Sequence, residues 1–143
     1  MSLKDEMIKM SEGKKRKTKF KRDVEPLDLL QLTENMRIIL RVSKRFFDHH
    51  QLEFVITSIK SDREGVKTVS TTHEEGRAVD IRSSHLTEDQ IKNFLRFCDN
   101  QFSHLGAISS KDLKVRACVY HNNHFHLQAR RQETLIDKMK FWR

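Results

Sequence analysis

Two short stretches of strict alternation constrain the fold of this chain more than any other feature. Ala78-Val79-Asp80-Ile81-Arg82 and His124-Phe125-His126-Leu127-Gln128 each place apolar residues at every second position. That is the period of a strand with one face on a core. The other face then carries Asp80 on one strand and His124 and His126 on the other, and the three meet if the strands are neighbours. His73 precedes Asp80 by seven positions, with Gly76 between them to allow a tight turn. Two imidazoles and a carboxylate give a divalent ion three protein ligands. The fourth position of a tetrahedral zinc then stays open to water, the pattern of a catalytic site.

At 143 residues the chain is expected to form one domain around a single core. Its net charge of +8 and pI near 9.7 favour anionic partners such as nucleic acid, acidic lipid or bacterial envelope. Cys98 and Cys118 are its only cysteines and form no C-x-x-C, so a reducing compartment is the simpler reading. Met1 to Gly13 lacks the apolar run of a signal peptide, and no stretch has the length of a transmembrane helix. These features predict a cytoplasmic chain with no membrane insertion.

Residues 1–22 contain the run Lys14-Lys15-Arg16-Lys17-Thr18-Lys19-Phe20-Lys21-Arg22 and predict a disordered basic arm. Its functional reading is an electrostatic tether to an anionic polymer; its bland reading is a solvated tail. From Leu27 to about His49, apolar residues recur at helical spacing after Pro26. Glu53–Ile59 reads as a strand and Ser61–Thr72 as a loop. Thr87-Glu88-Asp89-Gln90 has the form of a capping box and opens a helix ending near Phe102. Val115, Ala117 and Val119 alternate as one strand, and His121-Asn122-Asn123 is a turn. The strand from His124 closes the sheet, and Glu133–Phe141 suggests a last helix. The order predicts an α+β fold, a mainly antiparallel sheet with helices on one face.

The segment Ser70 to Ile81 resembles the S-x-H-x-x-G-x-A-x-D pattern of LAS-type zinc peptidases, the group of lysostaphin, D-Ala-D-Ala metallopeptidases and hedgehog domains. It looks most like the D-Ala-D-Ala carboxypeptidase-like or L-alanyl-D-glutamate peptidase branch of bacterial and phage enzymes. His73, Gly76, Ala78 and Asp80 match the pattern, with the serine displaced to Ser70 and Thr71 in its place. His124-Phe125-His126 matches the second metal motif, whose last histidine is a ligand. The resemblance covers roughly residues 53–130. It implies a hedgehog/D,D-peptidase-like domain over 23–143, with Zn2+ held by His73, Asp80 and His126.

It also implies a function, hydrolysis of peptidoglycan peptides by metal-activated water, as in an endolysin that reaches the wall after release or delivery by another component. Family members place an arginine before the first motif to grip a carboxylate or oxyanion. Arg63 is the nearest candidate for that part, and Lys60 the second. Many members carry a carboxylate base three residues before the last ligand, where this chain has Asn123. Other branches use the first histidine of the pair, here His124, whose ordinary pKa suits proton transfer. Asn123 also leaves a second class open, a non-catalytic, metal-stabilised module or virion component holding an anionic polymer. Glu74 and Glu75 read as solvated loop carboxylates, one of them paired with Arg77. A structural zinc on Cys118, His121, His124 and His126 is a rival site without a standard finger spacing. Nucleic-acid binding comes third, having the charge but no recognised module.

Overall fold

A computed structural model describes residues 16–59, 75–109 and 112–131. His73, Arg63, Lys60, Glu74, the expected loop over 61–72 and the expected helix over 133–141 lie outside the described residues.

The first element is unexpected. Lys19–Phe20 form strand β1, paired in parallel with β2, Val55–Ser58. The Lys19 amide donates to the Phe54 carbonyl at 2.9 Å and the Lys21 amide to the Ile56 carbonyl at 2.8 Å. Phe20 packs against the core. The expected arm over 1–22 therefore ends inside the fold. Backbone pairing and a single phenylalanine hold a segment whose composition reads as solvated.

The expected helix from Leu27 to His49 is broken in two. Pro26–Gln31 is a 3-10 helix with proline in its first turn, and α1 spans Glu34–His49. Leu32 and Thr33 between them are extended. Thr33 donates its amide to the Gly76 carbonyl, and its hydroxyl accepts from the Met36 amide at 3.3 Å, capping α1. The apolar period continues across the break because Leu29 and Leu32 still face the core.

Strand β3, Ala78–Arg82, pairs antiparallel with β2 and with β7, His124–Gln128. Helix α2, Glu88–Gln101, opens on the expected capping box, with both reciprocal Thr87–Gln90 bonds made. The expected single strand through Val119 is instead two. Strand β4, Ala107–Ile108, pairs with β5, Val115–Arg116, and β6, Cys118–His121, joins the main sheet. Ala117 and Cys118 are consecutive and both buried, so the alternation breaks at this bend.

The main sheet has the order β1-β2-β3-β7-β6. Strand β7 thus lies inside the sheet and β6 forms the edge, not the reverse. The fold is α+β with a mixed five-stranded sheet, antiparallel except at β1–β2. Both helices cover the face that carries Ile81, Phe125 and Leu127. Phe47 of α1 and Phe94 of α2 meet edge to face at 5.0 Å, and Phe94 stands 4.7 Å from Phe125. The opposite face is left for polar chemistry. No helix among the described residues is long and apolar enough to cross a membrane.

Candidate metal centre

Register decides which polar side chains meet. Asp80 is directly opposite His126, Arg82 opposite His124, and His124 opposite His121. On β2, Ser58 faces Asp80, just past an irregularity in the ladder. Cross-strand neighbours on one face stand about 5 Å apart at Cβ, so Asp80, His124 and His126 form one cluster. The hairpin that returns β6 into β7 fixes the register of that pair, which sets His121 against His124. Its two central residues, Asn122 and Asn123, have φ of 47° and 63°. A two-residue turn of that hand matches strand twist, and asparagine tolerates it best after glycine.

His126 Nδ1 lies 2.9 Å from Asp80 Oδ1, and His124 Nε2 lies 3.9 Å from Asp80 Oδ2. The first distance is a charge-assisted hydrogen bond. Nδ1 cannot donate that bond and bind a metal at once; with Nδ1 unprotonated, the same two atoms stand near the roughly 3.3 Å that separates donors on a tetrahedral zinc. The second distance is beyond hydrogen-bond reach. Side-chain exposure rises from 16% at Asp80 through 19% at His126 to 28% at His124. The Asp80–His126 pair is therefore the more enclosed end, and His124 stands toward solvent.

His124 has its tautomer set by the turn beside it. Its Nδ1 lies 3.2 Å from the Asn122 carbonyl. A carbonyl only accepts, so Nδ1 carries the hydrogen, and Nε2 is the ring nitrogen on the side of Asp80. Among the described residues, no group of three His, Cys, Asp or Glu side chains is arranged to hold a metal ion. Two ligand-type atoms, from Asp80 and His126, converge, with His124 set back from them. The donor set suits zinc in kind. The third expected ligand, His73, lies outside the described residues, as does Arg63.

The entry to β3 is pinned just before the cluster. Gly76 has φ of 70°, and a Cβ there would stand 2.2 Å from the Gln31 carbonyl oxygen. Only glycine fits both the backbone conformation and the approach. Arg77 donates to Glu75 at 2.6 Å and to the Ala129 carbonyl at 3.0 Å, tying the start of β3 to the end of β7. The hydrogen bond from Arg77, with Arg131 adding to it, holds the Glu75 carboxyl below its ordinary pKa. Glu75 is thus a paired carboxylate, as its sequence neighbour Arg77 suggests.

The rival zinc site is separated by the pleat. Cys118 is buried opposite Leu127 on the helix-covered face, while His121, His124 and His126 point the other way. Burial, with Cys98 close by, pushes the Cys118 thiol well above its ordinary pKa, which suits a core residue and not a metal ligand.

Arg82 was not singled out in the sequence, and His121 only in the turn and as a ligand of the rival zinc site, yet register places both beside His124. The signal was present. Arg82 is two residues beyond Asp80 on an alternating strand, and a two-residue Asn-Asn turn sets His121 against His124. No family model matches the chain, and neither the curated proteins nor the solved structures hold a match.

Proposed function

We propose that the protein is a zinc-dependent peptidase of hedgehog/D,D-peptidase type that hydrolyses cell-wall peptides. The observation that carries this reading is the meeting of Asp80 and His126 at 2.9 Å with His124 alongside, its Nε2 turned inward. A cross-strand ion pair accounts for Asp80 and His126 alone; the second histidine in the same row is what favours a site over a pair.

In this reading Asp80 and His126, with His73, would hold the metal. When bound, zinc supplies an acidified water and a Lewis acid for the scissile carbonyl. His124 takes the water's proton at Nε2 and returns it to the leaving amine, while the Asn122 carbonyl keeps Nδ1–H fixed and the ring aligned. Arg63 grips a substrate carboxylate by its forked donors. Asp80 carries a negative charge close enough to stabilise the imidazolium formed at His124.

A second reading has support from Asn123. It holds the left-handed turn position and its carbonyl accepts from the Ser83 amide at 3.2 Å. That is a structural role at the place where many family members keep a base, and it suits a metal-stabilised module without catalysis. The two readings part in one assay. The zinc-loaded protein is incubated with peptidoglycan of several types, with and without chelator, and new amino termini are counted. Chelator-sensitive release supports the peptidase; full zinc loading without release supports the module.

A further inference from the structure

A second feature lies on the helical side of the sheet, at the β1 edge, away from Asp80 and His126. There β1, β2, the 3-10 helix and the first turns of α1 line a groove open to solvent, with a volume of about 380 Å³. This is within the range of small-molecule pockets. Its floor is Phe54 and Ile56 from the core, and its walls include Phe20, Leu29 and Leu40. Leu30 stands at the rim, 71% exposed.

The charged side chains lining it all have one sign: Arg37, Arg41 and Lys44. They recur along α1 at steps of four and three, so they share a face. No acidic residue lines the groove among the described residues. Lys44 is already committed to Asp48 and to the Arg16 carbonyl. Arg37 spends one donor on the Leu30 carbonyl at 2.7 Å. The Arg41 side chain makes no hydrogen bond or ion pair to a described residue.

We propose that this groove binds an anionic single-chain amphiphile, its aliphatic tail on Phe20, Leu40 and Ile56 and its anionic head on Arg41 and Arg37. An apolar groove under a cationic rim is complementary to such a molecule at both ends. A peptide fits it less well. Thr18 is the sole uncharged polar side chain in the lining, so amides turned toward the groove floor would find few partners there. A chain of methylenes brings no such groups. A neutral hydrocarbon fills the groove and leaves the rim unanswered.

The test uses the full chain and decanoate below its micelle concentration, with decanol as the uncharged control, followed by calorimetry. Saturable one-to-one binding of decanoate is expected, with decanol weaker by about tenfold, the loss of one charge-assisted contact. Arg41→Gln, a substitution on an exposed helix face, should reduce decanoate binding several-fold and leave decanol unchanged. No saturable decanoate binding overturns the proposal, as does equal affinity for the two ligands with Arg41→Gln inert. Binding to anionic phosphatidylglycerol vesicles or to an acidic amphipathic peptide, without binding of monomeric decanoate, overturns it too. The first would make this edge a membrane surface and the second a protein-docking groove.

Discussion

Asn122 and Asn123 are the residues that present His124. Their left-handed conformations make the tight turn, and the Asn122 carbonyl orients the imidazole. In the proposed chemistry His124 moves a proton and holds no metal. His124→Ala should therefore keep zinc at full stoichiometry while lowering peptide hydrolysis by about a hundredfold or more. Metal analysis and kinetics on the same preparation check both halves. Gly76 is the other residue with a single role. Gly76→Ala places a methyl against the Gln31 carbonyl at a positive φ. It should destabilise the fold by about 2 kcal/mol, read from urea unfolding; an unchanged midpoint would show that the β3 entry relaxes freely.

Among the elements, those with local signals were legible in the sequence. The alternation of β3 and β7, the Thr87 capping box and the Asn-Asn turn each depend on neighbours within a few positions. The misread elements depend on distant partners. Thr33 ends the helical path because the Gly76 carbonyl receives its amide, and no nearby residue announces that. Gly106 meets the backbone at Ala117, where a Cβ would stand 2.6 Å from the Ala117 nitrogen, so the bend between β5 and β6 is set by tertiary approach. Strand β1 is two residues long, too short to show a period.

Two measurements follow at this scale. Thr87→Ala removes one partner of the capping box and should cost about 1 kcal/mol, seen as a lower unfolding midpoint. Deleting residues 1–15 leaves β1 in place, whereas deleting 1–22 removes Phe20 and both of its flanking backbone bonds to β2. The longer deletion alone should lower the melting temperature. Equal melting temperatures would show that β1 adds nothing to the fold.

For the whole molecule, the basic run and the sheet are one object. Five of its seven cations, Arg16, Lys17, Lys19, Lys21 and Arg22, lie within the described fold. Charge on a sheet edge discourages pairing with other chains, and the same charge attracts polyanions. Lys17→Gln with Arg22→Gln should weaken binding to anionic cell wall, with the larger loss at low salt, because exposed charges are screened over about 10 Å at 0.1 M. The separation of faces was readable from alternation, since it follows from the pleat. The positions of His73 and Arg63 were not, since both lie in or beside a polar segment without periodicity. The central claim is that Asp80 and His126 belong to one metal site on the open face. The most direct measurement is zinc content of the purified protein beside Asp80→Ala, His126→Ala, His73→Ala and Cys118→Ser. The account predicts about one zinc per chain in the wild type and in Cys118→Ser, and a clear loss in the other three. Full zinc in all three, or loss only in Cys118→Ser, would contradict it.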